Sequence, residues 1–400
     1  MLAHRLPYPP RTGDKVRAYH IARHLARAHD LTLVGLVDDT TAELAVAALR
    51  EEVGEVAFAS ISRGPKRLRA LLSLLRGGCA TMAYFDSPEL HTQVARRLRE
   101  NSFDLFYVSS SSMAQYLKRR PARPILMDFV DVDSDKWRQY GEWLPGPKAW
   151  IYRLEALRLR QHELAAARRA DRCLVTTRQE EALLHSFAPW VPTTVIPNGV
   201  DLDYFTPPPD PASDSTIAFT GAMDYVPNVD AAVDFCQKVL PRIRERVPAA
   251  RFLIVGKNPV PAVRRLTAIP GVTVTGTVSD VRPFLAQSAV AVAPLRIARG
   301  IQNKVLEAMA MRLPVVATSK AQQGIEARAG EHLFVENDPG SFADAVATLL
   351  GDPGLRLRVG REARRFVEVH HSWPASMATL DHVLDEVARQ APAAATQPAT

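Results

Sequence analysis

Short apolar runs alternate with helical patterns along almost the whole chain, and this alternation restricts the fold more than any other feature. In the first half, runs suited to strands buried on both faces occur at 32–37, 105–108, 124–127 and 173–175. In the second half they occur at 217–219, 252–255, 272–274, 290–293 and 314–317. Continuous apolar strands separated by helices are typical of α/β proteins with parallel sheets.

A proline-rich stretch at 197–214 interrupts the alternation, which then restarts. A chain of 400 residues is long enough for two or three domains with cores of their own. We predict two facing Rossmann-like domains, each a doubly wound parallel sheet, with a cleft at the carboxyl ends of the strands. The predicted segments are a first domain at 1–196, a linker at 197–214, a second domain at 215–372, a helix packing back across the domains at 373–390 and a disordered tail at 391–400.

The composition excludes several classes of protein. With 47% hydrophobic and 23% charged residues, the chain has too much apolar content for an intrinsically disordered protein. Three cysteines without CxxC spacing do not form a disulfide framework. The chain contains no apolar run of about 18 residues, the length that a membrane span needs, and its first residues lack a signal peptide. We therefore expect a cytoplasmic protein.

The formal net charge of +7 raises the question of a nucleic-acid partner, but the basic residues are spread out and form no tail. One segment, at 65–76, combines a stripe of four leucines at helical spacing with a cluster of basic residues: Lys66, Arg67, Leu68, Arg69, Leu71, Leu72, Leu75 and Arg76. Two interpretations stay open. The helix lies on an anionic membrane surface, or it faces the core and keeps a solvated basic edge.

The segment that follows the strand at 290–293 has the pattern of an anion site. A loop carrying Arg296, Arg299 and Gly300 leads into a helix that is predicted to begin near residue 301 or 302. The free N–H groups of a helix N-terminus bind phosphate, and nearby basic side chains strengthen that binding. Lys304 and Glu307 lie three residues apart on this helix, so a plain surface ion pair is the alternative interpretation.

A second pair of candidate residues, Asp131 and Asp133, follows the strand at 124–127. Either they are carboxylates lining the cleft, or Asp133 or Ser134 caps the next helix. Near the amino end, Gly13 permits a close backbone approach to a ligand or simply forms a turn. The histidines show no convincing set of metal ligands, and no GxGxxG motif supports a dinucleotide cofactor.

Several segments in the same order resemble the family 4 retaining glycosyltransferases, which have the GT-B fold. The helix containing Ala-Met-Ala, followed by Leu-Pro-Val-Val at 313–316, is similar to the donor-binding region of that family. Further similar segments lie at 5–17, 196–201, 219–228, 253–257 and 274–281. Together they resemble the sugar transferases that accompany PEP-CTERM exopolysaccharide systems in Gram-negative bacteria. Two positions depart from the family: Arg299 replaces the first motif Glu, and Ala222-Met223-Asp224 replaces an Arg and Lys pair.

The resemblance implies retaining transfer of a sugar from a UDP- or GDP-linked donor to a lipid-linked or polysaccharide acceptor, in exopolysaccharide biosynthesis. It also implies that no metal or cofactor takes part, that the first domain binds the acceptor and the second the donor, and that the reaction takes place at the cytoplasmic face of the inner membrane, where the basic helix at 65–76 would hold a cytoplasmic protein peripherally. The predicted catalytic residues are Asp131 and Asp133, from their spacing, and Arg296 and Lys304, as substitutes for the absent Arg and Lys pair. The predicted substrate-binding residues are Gly13, Asp14, Lys15, Arg17, Gly221, Asn228, Lys257, Val278, Arg299, Gly300, Ile301, Asn303 and Glu307.

Two alternatives of a different class remain at this point. A sugar-nucleotide epimerase with the same two-domain architecture would also bind a nucleotide sugar, but it would need an acid/base cluster of Asp, Glu and His. A non-catalytic member that binds a nucleotide sugar without turnover is the other, because Arg299 replaces a residue that approaches the donor sugar in the family.

Overall fold

A computed structural model of the chain describes residues 1–10, 13–38, 42–61, 63–209, 215–298 and 300–390. The chain divides into two compact units. The first consists of Met1–Ile196 together with the described residues from Met377 onward, and the second is Pro197–Ser376.

Seven parallel strands form the sheet of the first unit, in the order β3-β2-β1-β4-β5-β6-β7. Its strands are β1 (Leu2–Ala3), β2 (Thr32–Asp38), β3 (Glu55–Ile61), β4 (Phe106–Ser109), β5 (Ile125–Val130), β6 (Arg172–Val175) and β7 (Thr193–Val195). Its helices are α1 (Gly13–Ala28), α2 (Ala42–Val53), α3 (Arg63–Leu75), α4 (Ala80–Tyr84), α5 (Pro88–Glu100), α6 (Asp133–Trp143), α7 (Pro147–Arg169) and α8 (Arg178–His185), with a 3₁₀ turn at Ser111–Tyr116.

Six parallel strands form the sheet of the second unit, in the order β10-β9-β8-β11-β12-β13. Its strands are β8 (Thr216–Thr220), β9 (Arg251–Val255), β10 (Val272–Val274), β11 (Val290–Ala293), β12 (Val315–Ala317) and β13 (Phe334–Val335). Its helices are α9 (Val226–Asp234), α10 (Leu240–Arg246), α11 (Pro261–Arg264), α12 (Arg282–Ala286), α13 (Asn303–Ala310), α14 (Ser319–Gln322), α15 (Pro339–Gly351) and α16 (Pro353–His370), with a π turn at Phe235–Val239. A last helix, α17 (Trp373–Gln390), begins in this unit and continues in the first.

The predicted α/β class with two Rossmann-like parallel sheets is confirmed. All nine strands read from the apolar runs are present, because central strands covered by helices on both faces bury every side chain, as β8 and β11 do. Four strands were not predicted. The two-residue strands β1 and β13 are too short to leave a pattern, whereas β3 and β7 lie at the edges of their sheet and carry more polar residues.

Each sheet reverses its strand order at one place, and there the loops at the carboxyl ends of neighbouring strands diverge. In the first unit the reversal lies between β1 and β4, and in the second between β8 and β11. Open α/β sheets bind ligands at such switch points. The residues that follow β8 and β11 are therefore the first place to search for a site in the second unit.

The leucine stripe at 65–76 does not face the core. Helix α3 begins at Arg63, two residues before the proline that was expected to open it. The four leucines of the stripe are exposed, with 59%, 48%, 40% and 74% of their surface accessible at Leu68, Leu71, Leu72 and Leu75. The core-facing interpretation is therefore wrong. No helix in the described ranges combines the length and the apolar character that a bilayer crossing requires.

Candidate functional site

Two glycines bring the loops after β8 and β9 into direct contact at the switch point of the second sheet. A Cβ atom on Gly256 would lie 1.6 Å from the carbonyl oxygen of Gly221, so only glycine fits there. A Cβ atom on Gly221 would in turn lie 2.6 Å from Nδ2 of Asn228 and 3.1 Å from Nζ of Lys304. The absence of a side chain at Gly221 thus leaves room for the Lys304 ammonium next to the backbone.

Lys304 is held at this position by neighbours from two other elements. Its Nζ donates a hydrogen bond to Oδ1 of Asn228 at 2.5 Å and lies 4.8 Å from the centroid of the Phe219 ring. The buried Asn228 amide donates to the carbonyl oxygen of Ala222 at 3.0 Å, which orients its oxygen toward the lysine. The lysine nitrogen is therefore directed to the end of β8.

Burial dominates the electrostatics of the two titratable residues on α13. It lowers the pKa of Lys304 to about 7, and the nearby Glu307 carboxylate opposes part of that shift. It also raises the pKa of Glu307 to about 7, again opposed by its partner. Strongly shifted pKa values in a concave, polar place are typical of binding and catalytic sites. These residues do not form the surface ion pair of the alternative interpretation.

The N-terminus of α13 lies one or two residues later than predicted, at Asn303. Gly300 adopts a φ of 58°, in the left-handed region that favours glycine, and Ile301 is buried beside it. Among the described residues, no side chain caps the first turn of α13. The start of a helix carries N–H groups without intrahelical partners, and such groups bind anions. In this turn the N–H of Val305 donates to the carbonyl oxygen of Gln302 at 2.9 Å, and the Asn303 side chain accepts a hydrogen bond from Asn198 at 3.5 Å.

Arg296 has acidic partners within the unit. Its Nε donates to Oδ2 of Asp230 at 2.8 Å, its Nη2 contacts Oδ1 of the same carboxylate, and Nη1 lies 3.5 Å from Oδ1 of Asp234. The guanidinium thus ties the loop after β11 to α9, an arrangement that the sequence spacing does not reveal. A catalytic role for Arg296 stays a prediction, since these carboxylates compete with a phosphate for its donors.

The remaining predicted donor-site residues lie on neighbouring loops or outside the described residues. Lys257 follows β9, and its carbonyl oxygen accepts a hydrogen bond from the N–H of Met223 at 2.8 Å. Val278 lies in the loop between β10 and α12 and is partly buried. Arg299 lies outside the described residues.

In the first unit, Arg17 is almost completely buried and forms the centre of a polar cluster. Its Nε and Nη2 donate to the two carboxylate oxygens of Asp128 at 2.8 and 3.2 Å, and Nη1 donates to the carbonyl oxygen of Ile196 at 2.7 Å. The hydroxyl of Tyr107 donates to the same carboxylate at 2.5 Å. The Arg17 side chain therefore joins α1, β5 and the end of the unit, and its role in substrate binding stays a prediction.

The other predicted residues of the amino-terminal loop lie in the first turn of α1. Gly13 and Asp14 are the first two residues of that helix. The Nζ of Lys15 donates to the carbonyl oxygen of Tyr8 at 3.2 Å, which folds the preceding loop back onto the helix. The first turn therefore lies next to the loop that follows β1, at the edge where ligands bind in such sheets.

Asp131 and Asp133 lie at the N-terminus of α6, beside two buried glutamates that sequence reasoning missed. Oε2 of Glu180 accepts a hydrogen bond from the N–H of Val132 at 2.7 Å, and Oε1 of Glu163 accepts one from the N–H of Ser134 at 2.9 Å. The predicted helix cap by Asp133 or Ser134 is therefore wrong, because carboxylates from α7 and α8 perform that function. No local spacing signals this, since the partners are 29 and 48 residues apart.

The buried glutamates should make the stability of the first unit fall as the pH rises. Burial, and after it the charge of Asp131, raises the pKa of Glu180 to about 8, and burial raises that of Glu163 to about 7. The native state thus holds protons that the unfolded chain releases above about pH 4.5. Their contribution is fully present below that pH and is lost as the pH rises toward 8.

Glu180→Gln removes one of these titrations while its amide oxygen can still accept the hydrogen bond from Val132. We expect the variant to gain stability relative to the wild type as the pH rises from 5 to 8, measured by urea unfolding. Gln179→Ala, an exposed neighbour on the same helix, is the matched control. Parallel stability curves for the wild type and Glu180→Gln would contradict this account of the shift.

No group of three or more His, Cys, Asp and Glu residues in the described ranges is arranged to hold a metal ion. The carboxylates near α6 are instead engaged by protein donors: Oδ1 of Asp131 accepts from the Thr176 hydroxyl at 3.0 Å, and Asp133 lies 3.9 Å from the Lys136 ammonium. This part of the first unit is therefore a hydrogen-bonded polar edge, with Asp131 and Asp133 both partly exposed.

Two models of glycosyltransferase domains match consecutive parts of the sequence. The model described as "Glycosyl transferase 4-like domain" matches residues 12–199, and the one described as "Glycosyl transferases group 1" matches residues 214–352. Together they span most of the chain; the first match ends three residues beyond the first unit, and the second lies within the second unit. No curated protein matches the sequence significantly.

Solved structures show the same two-domain fold at low sequence identity. A sucrose-phosphate synthase from Thermosynechococcus elongatus is 17% identical with a TM-score of 0.74, over 97% of this chain and 98% of that one. A glycosyltransferase from Rickettsia africae is 14% identical with a TM-score of 0.65, over 96% and 98%. HepE from Anabaena, solved in complex with UDP and glucose, is 14% identical with a TM-score of 0.64, over 92% and 95%.

The matches agree with the architecture. The fold is GT-B, with two Rossmann-like parallel sheets of seven and six strands. The residues around Lys304 lie within the part matched by the group 1 model, and those around Asp131 lie within the part matched by the 4-like model. On this evidence the chain is an enzyme that belongs to the glycosyltransferases with the GT-B fold.

Proposed function

We propose that this enzyme transfers a sugar from a UDP- or GDP-linked donor to a lipid-linked or polysaccharide acceptor, with retention of the anomeric configuration and without a metal ion. The observation that carries the proposal is the Lys304 ammonium, held by Asn228 beside Gly221 at the switch point of the second sheet. HepE, a solved structure of similar fold, was obtained in complex with UDP and glucose. The resemblance to the PEP-CTERM subgroup supports a role in exopolysaccharide biosynthesis.

The chemistry requires positive charge where the leaving diphosphate develops its negative charge. When the glycosidic bond breaks, the bonding electrons go to the diphosphate oxygen. A cation and fixed N–H donors placed there in advance stabilise that charge without reorganisation. Lys304 and the first turn of α13 supply these two elements in the second unit. They can do so without a metal, which is the basis for proposing a metal-independent reaction.

Glu307 has the complementary role of accepting hydrogen bonds from hydroxyls of the donor. It lies one turn along α13 from Lys304, so a donor whose diphosphate contacts the lysine presents its hydroxyls nearby. An ionised carboxylate is a strong acceptor for such groups. In the first unit, Asp131, Asp133 and the start of α1 are the proposed acceptor-side residues, because they lie at the carboxyl edge of that sheet.

The proposal is tested by incubating the purified chain with a panel of UDP- and GDP-sugars and analysing the products. Release of the nucleoside diphosphate, by slow hydrolysis or by transfer to an added glycan or lipid-linked acceptor, is the expected result. The anomeric configuration of the product, followed by NMR, tests retention, and full activity in the presence of a chelator tests metal independence. Epimerisation at C2 of the sugar, or binding without any turnover, would contradict the proposal.

Glu307→Ala should weaken donor binding by about 10- to 100-fold, the loss expected when a charged acceptor of ligand hydroxyls is removed. Calorimetric titration with the preferred donor measures this directly. The fold should be retained, because Glu307 is partly exposed and a helical alanine is well tolerated. Unchanged donor affinity would remove Glu307 from the site. Glu245→Ala, on the exposed side of α10, is a matched control.

A further inference from the structure

We propose that the exposed sides of α3 and α7 form one docking surface for an anionic phospholipid membrane. This inference concerns where the enzyme works and goes beyond the proposed sugar transfer. The docking surface consists of the leucine face of α3 (Leu68, Leu71, Leu72 and Leu75), the exposed residues Trp150, Ile151 and Leu157 of α7, and the basic side chains between and beside them.

The leucine face is apolar and continuous. The exposed part of each leucine is not covered by other described residues. Its members recur at helical spacing, so they lie along one side of α3. Leu75 is 74% exposed and Leu68 is 59% exposed, whereas Leu74, on the opposite side of the same turn, is 5% exposed. The helix is therefore packed on the unit through its other side and presents its leucines outward.

Two polar anchors fix this end of α3 against α7. Nη1 of Arg158 donates to the carbonyl oxygens of Leu74 and Gly78 at 2.5 and 2.7 Å. The carboxylate of Glu155 accepts from the N–H groups of Ala80 and Thr81, each at 2.7 Å. These contacts are made one residue from Leu75 and one from Leu157, so the end of α3 lies beside the middle of α7.

Helix α7 extends the surface with large apolar side chains. Trp150 and Leu157 are each 67% exposed and lie seven residues apart, two turns along one side of the helix. Ile151 is 36% exposed beside them. Tryptophan is the residue type that favours the boundary between lipid headgroups and acyl chains. The docking surface therefore has an apolar centre to which two helices contribute, α3 and α7.

Along α3 and the first half of α7 the exposed charges are of one sign. Arg69 on α3, Arg76 directly after it, and Lys148 and Arg153 on α7 are exposed. No acidic residue occurs in the sequence between 63 and 85, and the one acid of α7 before Glu163 is Glu155, which is buried against α4. Apolar groups surrounded by cations fit a bilayer that contains anionic headgroups.

The structure shows that one basic residue of α3 cannot reach a membrane surface. Lys66 was counted among the basic residues of this helix, but it is buried and its Nζ donates to the carbonyl oxygen of Asp86 at 3.1 Å. It anchors the helix to the unit instead of facing outward. The charge variants that test the surface should therefore change Arg69 and Arg76 and leave Lys66 in place.

The test is flotation of the full chain with vesicles of phosphatidylcholine containing about 40% phosphatidylglycerol, compared with pure phosphatidylcholine. The wild type should float with the anionic vesicles, and less so as salt is raised from about 0.05 to about 0.5 M. Leu71→Ser with Leu75→Ser should lower the bound fraction about tenfold, and Arg69→Gln with Arg76→Gln should remove the preference for anionic vesicles. Trp150→Ser should weaken binding in the same direction.

Leu357→Ser with Val369→Ser is the matched control, because both residues are exposed but lie on α16 in the other unit. This variant should float like the wild type. Failure of the wild type to bind, or equal binding by the leucine variant, would overturn the proposal. So would a concentration-dependent dimer in sedimentation that the leucine variant abolishes, since a second copy would then cover the surface. Donor binding by calorimetry is measured separately, so loss of docking and failure of the proposed activity are distinguishable.

Discussion

Lys304→Met should lower kcat/KM for sugar transfer by about 10²- to 10³-fold, the range found when one preorganised donor to a developing negative charge is removed. Met has nearly the same length and is compatible with the helix, so the side chain can still occupy the space beside Gly221 and Phe219. The variant therefore lacks the positive charge at the position where the diphosphate leaves. Steady-state kinetics with the preferred donor, together with calorimetric titration of the nucleoside diphosphate, measure the effect.

The same residue should give donor affinity a characteristic dependence on pH. Burial lowers the pKa of Lys304 to about 7 in the free enzyme, and a bound diphosphate favours the protonated form. Affinity should therefore fall as the pH rises from 7 to 9, by at most about tenfold per unit, with proton uptake on binding. In Lys304→Met this fall in affinity above pH 7 should disappear. Lys320→Met, which changes an exposed lysine of α14, should behave as the wild type, and an equal loss there would contradict a specific role.

Arg17→Met should destabilise the first unit by about 3–5 kcal/mol, the cost of leaving a buried charge without its partner. Asp128 is fully buried and, among the described residues, would retain the hydroxyl of Tyr107 and the N–H of Val130 as donors. Denaturant unfolding, followed by a probe in the first unit, measures the change. If Arg17 were instead a ligand-binding residue, the variant would keep its stability and lose substrate affinity.

Two further variants test whether the loss of stability comes from the Arg17–Asp128 pair itself. Arg23→Met lies on the same helix, but its ion pair with Glu52 is exposed and 3.5 Å long, so we expect a change of less than about 0.5 kcal/mol. Arg17→Met combined with Asp128→Leu should recover part of the lost stability, because replacing both charges of a buried pair is far less costly than removing one.

The strands and the donor-side loop could be predicted because their signals are local. A strand covered on both faces must be apolar at every position, so β11 is visible in the sequence to the exact residue. The loop and helix around Lys304 and Glu307 likewise form one continuous segment, in which spacing along the helix fixes their relation. The exposed leucines of α3 illustrate the limit of such signals, because periodicity identifies an apolar side of a helix but not what that side contacts.

By itself the sequence determined the α/β class, most of both parallel sheets and the candidate donor-side residues, all of which follow from patterns within a few turns or strands. Only the tertiary structure decided which charges meet. Arg17 pairs with Asp128, 111 residues away, and Arg296 pairs with Asp230, 66 residues away. The buried caps of α6 come from Glu163 and Glu180 on other helices. A buried polar group needs a hydrogen-bonding partner, because burying it without one costs free energy. This requirement does not specify which residue the partner is. The packing of elements that are distant in the sequence decides that.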